Sequence, residues 1–515
     1  MTLPNKKVFY VVNSFLAGFS IMVVELISSR IVAPILGATV FTWTSVIGLT
    51  LLGLAIGGWV GGKVADSVKS NRPLPIALLA SALSVALIPK FAEYTSFITD
   101  ASNSILVLNL LLSFYLFFIP ACAIGTIQPL LLKKYADTFS SIGTKYGTLS
   151  AAWSIGSMLG VFLTGFFLIS VIGSTETIWL ISSMLFLLGI TYVFSDTSLL
   201  LIFIATLLST VVLYSVTTTP SQKNVLFEKE TNYYSTKVID TVLPTLGESR
   251  ILFLDLDIHG VEPTHSNLLT YFDMQPVFSY IKDEIKDILV LGGGAYLLPR
   301  HFSEYYQDAH VTVIETDPEM IPIANEFFNL QQYPITTVIT DARLYMQKNQ
   351  GTYDVIYGDT FNSYISVPWY LLTTEWNAQV RERLNKDGIY AINFISSLDG
   401  DGAELAKSIT NTFKQTFPNY YVFLFGKGST AVQNIVLVGI NGDNILSEKE
   451  LMKRLGQDGH TQLARTVASR ESIGNSSVIL TDDFSPIERL MSPLLKDYFP
   501  NNVRQIRQIM TERNI

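Results

Sequence analysis

Two hydrophobic patterns divide this chain of 515 residues. Up to about residue 220, apolar residues run on without alternation, in stretches close to the 20 or so that a bilayer-crossing helix needs. Seven such stretches are read, at roughly 8–28, 43–61, 74–90, 104–132, 147–172, 177–195 and 199–217. Beyond the polar linker TTTPSQKN the apolar runs shorten. VLFE (225–228), YYSTKVIDT (233–241) and SRILFLDLD (249–257) read as a small antiparallel β unit, followed by a helix over 267–283. From residue 287 apolar strands alternate with helical stretches: ILVL (288–291), HVTVIE (310–315), TTVIT (336–340), YDVIYGD (353–359) and GIYAINF (388–394). Helices fit 317–328, 369–385 and 402–416 between them, which predicts a parallel, doubly wound sheet. YYVFLFGK and NIVLVGI close it as an antiparallel pair, and the tail reads as helical with a loop near 474–487. The pattern therefore divides into a multi-pass α-helical membrane domain (1–220, about seven helices), a small β unit and helix (221–285), an α/β Rossmann-like domain (286–445) and a C-terminal helical tail (446–515).

Composition supports two environments. The chain is 49% hydrophobic and 15% charged, with a mean hydropathy of +0.36, too apolar for an ordinary soluble protein. Residues 1–220 carry 10 Lys/Arg and 7 Asp/Glu; residues 221–515 carry 25 and 36. The acidic second half has no basic stripe, which argues against nucleic acid as a partner. Glycines cluster in the second and fifth apolar segments (Gly53, Gly57, Gly58, Gly61, Gly62; Gly156, Gly160, Gly165), a spacing that lets helices pack closely in lipid. Glu25 and Arg30 lie in the first segment, where an ionisable group needs a partner; a Glu25–Arg30 pair is the simple expectation. Lys6, Lys7, Lys63, Lys69, Arg72, Lys133, Lys134 and Lys145 fall on one side of the membrane and predict a cytoplasmic N-terminus. Seven crossings would then place the second half outside, whereas its chemistry calls for a cytosolic metabolite. The reading favours a multi-pass protein of a prokaryotic-type cell membrane with a cytoplasmic catalytic domain, and takes the four residues between segments six and seven as the weak point of the count. One cysteine, Cys122, and five histidines without ligand spacing predict no metal. A homodimer is possible.

In an open α/β sheet the ligand sits beyond the carboxyl ends of the strands. Gly292, Gly293 and Gly294 follow the first strand, where the chain turns sharply and its backbone approaches a ligand. Glu315, with Thr316 beside it, ends the next strand, 23 residues after Gly292, where a carboxylate accepts from ribose hydroxyls. Asp317 suits a helix cap. Asp341 and Ala342 follow the third strand; Asp341 either accepts from an adenine amino group or caps the helix over 342–348. Asp359, ending the fourth strand in GDTFNSY, faces the mouth of the site, where a carboxylate takes a proton from an amine or steadies a sulfonium. No phosphate-binding Lys or Thr follows the glycines, so a nucleoside without polyphosphate is preferred. S-adenosylmethionine or a derivative fits, on a fold of the class I S-adenosylmethionine-dependent transferase type. Tyr271, Asp273, Tyr296, Tyr364 and Trp369 are read as lining the pocket, its aromatics offering cation–π contacts to a sulfonium.

Residues 225–440 resemble the spermidine synthase (polyamine aminopropyltransferase) family, and the whole chain resembles its membrane-fused branch, the fused major-facilitator-like/spermidine synthase proteins. The stretches that carry this are VELISSRIVAPILGATVFTW and GLAIGGWVGGKVAD in the first half, and ILVLGGGAYLLPR, VTVIETDPEMIPIANEFF, TDARLYM, YDVIYGD, LLTTEW and LTDDFSPIERL in the second. The resemblance implies a β unit packed on a Rossmann-like sheet and a reaction that releases methylthioadenosine from a sulfonium donor, with a small amine as acceptor. Two departures stand out. The family's aspartate after the glycines, which holds the donor's ammonium, is Ala295 here. Its second acid, three residues after the catalytic one, is Asn362. Loss of an acid, with Arg300 six residues after Gly294, suits a donor that keeps its carboxylate. Intact S-adenosylmethionine is therefore expected to bind at least as well as the decarboxylated form. The acceptor is an amine or the donor itself, the latter giving a cyclisation or lyase reaction. A methyltransferase and a non-catalytic nucleoside-binding transporter or sensor are the alternatives.

Overall fold

The computed structural model describes residues 6–37, 39–93, 95, 105–136, 141–193, 224–243, 246–255, 257–263, 269–360, 367–400, 402–426, 428–443, 445–476 and 478–494, with four isolated residues between 204 and 210. Residues 1–223 with 230–234 form one compact unit, and residues 224–229 with 235–515 the other.

Among the described residues of the first unit, six helices are long and apolar enough to cross a membrane: α1 (Lys7–Ala33), α2 (Val40–Ser67), α3 (Pro73–Ala92), α4 (Leu106–Tyr135), α5 (Ile142–Val171) and α6 (Ser174–Tyr192). The seventh predicted segment, 199–217, falls almost entirely outside the described residues. The glycine pattern explains how the helices approach. Gly53, Gly57 and Gly61 recur every four residues on one face of α2, and a Cβ at any of them would run into Ala121, Cys122 or Thr126 of α4. Gly156 and Gly160 do the same on α5 against Phe15 and Phe19 of α1. Ser14 and Ser157 bond across that seam, Ser14 Oγ donating to the Leu149 carbonyl at 2.8 Å and Ser157 Oγ to the Gly18 carbonyl at 3.0 Å. Gly58, Gly62 and Gly165 meet open space and take no part. Arg30 does not pair with Glu25. Its guanidinium donates to the carbonyls of Thr231 at 2.7 Å and Tyr233 at 3.0 Å within the same unit, and Oε2 of Glu25 is buried without a hydrogen-bond partner.

The second unit begins with a four-stranded antiparallel sheet, β1 (Val225–Glu230), β2 (Ser235–Leu243), β3 (Gly247–Leu254) and β4 (Asp257–Pro263), in that order. Pattern reading predicts three strands there; β4 is the fourth. Its sequence DIHGVEP lacks apolar alternation because its pairing with β3 slips. Leu252 pairs with Gly260 but Phe253 pairs with Ile258, which leaves His259 as the extra residue of a bulge.

The main sheet has eight strands: β5 (Asp287–Leu291), β6 (His310–Glu315), β7 (Ile335–Ile339), β8 (Tyr353–Gly358), β9 (Leu384–Ser396), β10 (Tyr420–Phe425), β11 (Gln433–Ile440) and β12 (Val467–Ala468), ordered β12-β10-β11-β9-β8-β5-β6-β7. The five from β5 to β9 are parallel, and β10 and β11 are antiparallel as predicted. The short edge strand β12 lies inside the tail read as helical. β8 is buried along its whole length, as a central parallel strand covered on both faces must be. Trp376, Tyr390 and Phe413 fill one face, the Trp376 indole N–H donating to the Tyr390 hydroxyl at 3.0 Å. Strand order reverses between β5 and β8, so the crevice beyond their carboxyl ends is where such a fold places a ligand. The helix predicted over 267–283 is shorter, a single 3-10 turn at Tyr271–Asp273 and a helix at Gln275–Ser279, with residues 264–268 outside the described set.

Candidate functional site

The glycine turn sits at that reversal. Gly292 (φ +96°) and Gly294 (φ +49°) adopt left-handed conformations, and a Cβ on Gly292 would run into the carbonyl oxygen of Asp359. Only glycine lets the two loops touch. The Asp359 amide donates to the Leu291 carbonyl at 2.8 Å, which locks the loop after β8 to the end of β5.

Glu315 is buried beside this turn, as its spacing predicts. Its oxygens serve the turn itself. Oε2 accepts from the amides of Gly293 (2.9 Å) and Gly294 (3.3 Å); Oε1 accepts from the amides of Thr316 (2.7 Å) and Asp317 (2.9 Å) and from Thr316 Oγ1 (3.3 Å). A carboxylate has about four lone-pair sites, so this one is filled. A ribose hydroxyl reaching it must displace one of the longer bonds. Asp317 is buried and accepts from the Glu319 amide at 3.0 Å in the turn that leads into the helix Met320–Phe328; the N-cap position of that helix is Glu319, not Asp317. Asp341 caps the helix Ala342–Lys348, accepting from Leu344 N at 3.0 Å, while its other oxygen accepts from the Tyr370 hydroxyl at 3.0 Å; Ala342 is buried behind it.

Asp359, the expected base, follows β8 directly and lies against this turn. It is half-buried. Asn393 Nδ2, on β9, donates to Oδ1 at 2.9 Å, and the Tyr271 hydroxyl donates to Oδ2 at 3.4 Å. Asn434 Nδ2, on β11, donates to Oδ1 of Asn393 at 3.0 Å and so fixes which end of the amide faces Asp359. Burial pushes the Asp359 carboxyl up from 3.8 to about 6, and the bonds from Asn393 and Tyr271 restrain the rise. The result is a carboxylate ionised at neutral pH and only just so, the balance that general-base chemistry would need. Burial, followed by the charge of Asp359, holds the Tyr271 phenol well above its usual range, so it stays a donor.

Three expectations meet different geometry. Arg300 does not face the glycine turn. Its Nη1 pairs with Glu262 at 2.7 Å and donates to the Phe328 carbonyl at 2.7 Å, so its charge is already neutralised. Asp273 is engaged with other partners. It closes a capping box with Thr270, accepting from Thr270 N at 2.8 Å, and lies 3.4 Å from His301 Nδ1, beside an open cavity of about 600 Å³ bordered by Gln275, Glu304 and His460. Burial alone would raise the Asp273 carboxyl; the bonds from His301 and Thr270 outweigh it and hold it below the usual range. Tyr296 (φ +59°) is buried with its hydroxyl 3.1 Å from Thr337 Oγ1, and its ring packs against Gly293, which supports the turn from behind. Ala295 is buried, and a Cβ on Gly260 of β4 would run into its methyl. Asn362 and Tyr364 lie outside the described residues. Asn393, Asn434 and Asp257 are the polar residues near the site that pattern reading missed. All three lie within strands, where apolar periodicity gives a polar side chain no signal. Among the described residues no group of three or more His, Cys, Asp or Glu is placed to hold a metal.

The spermine/spermidine synthase domain family matches residues 274–439. A probable polyamine aminopropyl transferase of Bifidobacterium longum (strain NCC 2705) is 25% identical over 310 residues, covering 56% of this chain and 68% of that protein. A polyamine aminopropyltransferase of Vibrio vulnificus (strain CMCP6) is 29% identical over 140 residues, covering 26% of this chain and 45% of that protein. A probable spermidine synthase from Corynebacterium glutamicum ATCC 13032, of known structure, has 18% identity and a TM-score of 0.39, covering 52% of this chain and 99% of that one.

Proposed function

We propose that this chain transfers a three-carbon arm from a sulfonium nucleoside to an amine, with Asp359 as the base; the match of residues 274–439 to the spermine/spermidine synthase domain family and the similarity to polyamine aminopropyltransferases support this reading. The donor is decarboxylated S-adenosylmethionine. The case for intact S-adenosylmethionine rested on the acid lost at Ala295 together with Arg300 as partner for the carboxylate, and Arg300 is spent on Glu262. The nucleoside lies across the glycine turn, with its sugar toward Glu315 and its sulfur toward Asp359. The acceptor nitrogen attacks the arm's carbon on sulfur, and the C–S bond breaks. Its electron pair returns to sulfur, which leaves as the neutral thioether of methylthioadenosine. The new ammonium loses its proton to Asp359.

The observation that carries this reading is the seating of Asp359. A half-buried carboxylate, held by Asn393 and Tyr271, stands at the strand reversal against Gly292. The helical unit is read as embedded in a membrane, with the catalytic unit cytoplasmic, where both substrates are made. The test is product identification. Detergent-solubilised full-length protein is incubated with labelled decarboxylated S-adenosylmethionine, with and without diamines. Methylthioadenosine with an aminopropylated amine supports the proposal. Methylthioadenosine without any amine indicates an internal acceptor. No nucleoside product, or adenosylhomocysteine from intact S-adenosylmethionine, overturns it.

A further inference from the structure

A cationic ligand in a partly dry crevice needs more than one anion, and the carboxylates flanking the glycine turn are committed. Glu315 is filled by five protein donors, and Asp341 caps a helix and accepts from Tyr370. Glu262 neutralises Arg300. Among the described residues beside the turn, one acid remains, on β4.

The bulge at His259 decides where that acid points. In a regular strand Asp257 and Gly260, three residues apart, would face opposite sides of the sheet. The slip pairs Leu252 with Gly260 and Leu254 with Asp257, so both pairs lie on the same face. Gly260 marks that face, because its Cα abuts Ala295 directly after the glycine turn. The carbonyl of His259 is also the nearest group to Gly294, with a Cβ built there 3.6 Å from it. Thus β4 closes over the turn with Asp257 turned inward. Its charge is one of those acting on the Tyr271 phenol, whose hydroxyl bonds Asp359. Oδ1 of Asp257 accepts from its own neighbour, the Ile258 amide, at 2.9 Å. Among the described residues nothing else donates to it. Burial, with a smaller push from Asp255, raises this carboxyl from 3.8 to about 7, the behaviour of an acid that lacks its cation.

We infer that Asp257 is the anion that holds the ammonium end of the donor's three-carbon arm, so that β4 rather than the loop after the glycines selects an amine-terminated nucleoside. This rests on the proposed aminopropyl transfer. The bulge at His259 is what brings Asp257 onto the face of Gly260, and bulges next to ligand sites re-aim side chains in this way.

The test is calorimetry on the full-length protein with decarboxylated S-adenosylmethionine and, as a neutral probe of the same nucleoside, methylthioadenosine. Asp257→Asn keeps the shape and removes the charge. The expected result is affinity for decarboxylated S-adenosylmethionine weakened by about tenfold or more, the order set by losing one charge-assisted hydrogen bond, with methylthioadenosine bound within about twofold of wild type. Equal affinity of variant and wild type for the amine-bearing ligand overturns the assignment and leaves the proposed function standing. An equal loss for both ligands also overturns it, by making Asp257 a structural residue. If wild type binds neither compound, the proposed function fails first and the assignment with it.

Discussion

Asn393→Ala removes the donor that restrains Asp359. In the intact site burial drives the carboxyl up, and the 2.9 Å bond from Asn393 opposes it, leaving it at about 6. A hydrogen bond to a charged group contributes roughly 1.5–3 kcal/mol, and one pKa unit corresponds to about 1.4 kcal/mol. Losing this bond should move the carboxyl to between about 7 and about 8. The base works deprotonated, so a higher pKa takes activity away from the acid side. At pH 7 the ionised fraction falls from about nine-tenths to between about a half and a tenth, a roughly two- to tenfold loss of kcat/KM, and it recovers by about pH 9. The assay is methylthioadenosine release as a function of pH, for wild type, Asn393→Ala and Asn393→Gln. Asn434→Ala frees the Asn393 amide to turn and should shift the limb in the same direction by less. An acid limb that does not move in Asn393→Ala, or a loss equal at every pH, would refute the view that this amide tunes the base.

Asp359→Asn should abolish turnover while methylthioadenosine still binds. Because the folded-state carboxyl is raised, wild type loses stability as pH climbs from about 4 to about 6, so the variant should unfold with about 3 kcal/mol more stability at pH 8 and no advantage below pH 4, read by denaturant titration of the same protein. Gly292→Ala forces a side chain into a left-handed conformation (φ +96°) and against the Asp359 carbonyl. The strain alone is about 1–2 kcal/mol, and turnover should fall at least about tenfold through displacement of Asp359. In the helical unit, Gly156→Leu must push α5 away from Phe15 of α1 and should lower the thermal stability of that unit in detergent, whereas Gly147→Ala, whose Cβ meets open space, should leave it unchanged or slightly raised.

The architecture was legible because it is written in long-range periodicity. Unbroken apolar runs marked the six described spans, and alternation of short apolar strands with helices marked β5 to β9. Strand ends located Gly292, Glu315 and Asp359 because a parallel sheet delivers its loops to one rim. What pattern reading could not see was partnership. Arg300 looked free for a ligand, but Glu262 lies 38 positions away in a strand the pattern did not predict. Glu315 was placed correctly beside the turn, yet that its oxygens are taken by four amides depends on loop conformation, not spacing. Asp257 reads as the end of the third predicted strand, 249–257, because the bulge in β4 breaks the two-residue alternation that would announce a fourth. Asn393 and Asn434 act across neighbouring strands paired through β9 and β11, a relation set by register alone.

The measurement that bears most directly on the account is the structure of the full-length protein with methylthioadenosine bound. The account predicts the nucleoside at the carboxyl ends of β5 and β8, its ribose against Glu315 and its sulfur directed at Asp359. A nucleoside bound elsewhere, or one lying there with its sulfur turned away from Asp359, would contradict it.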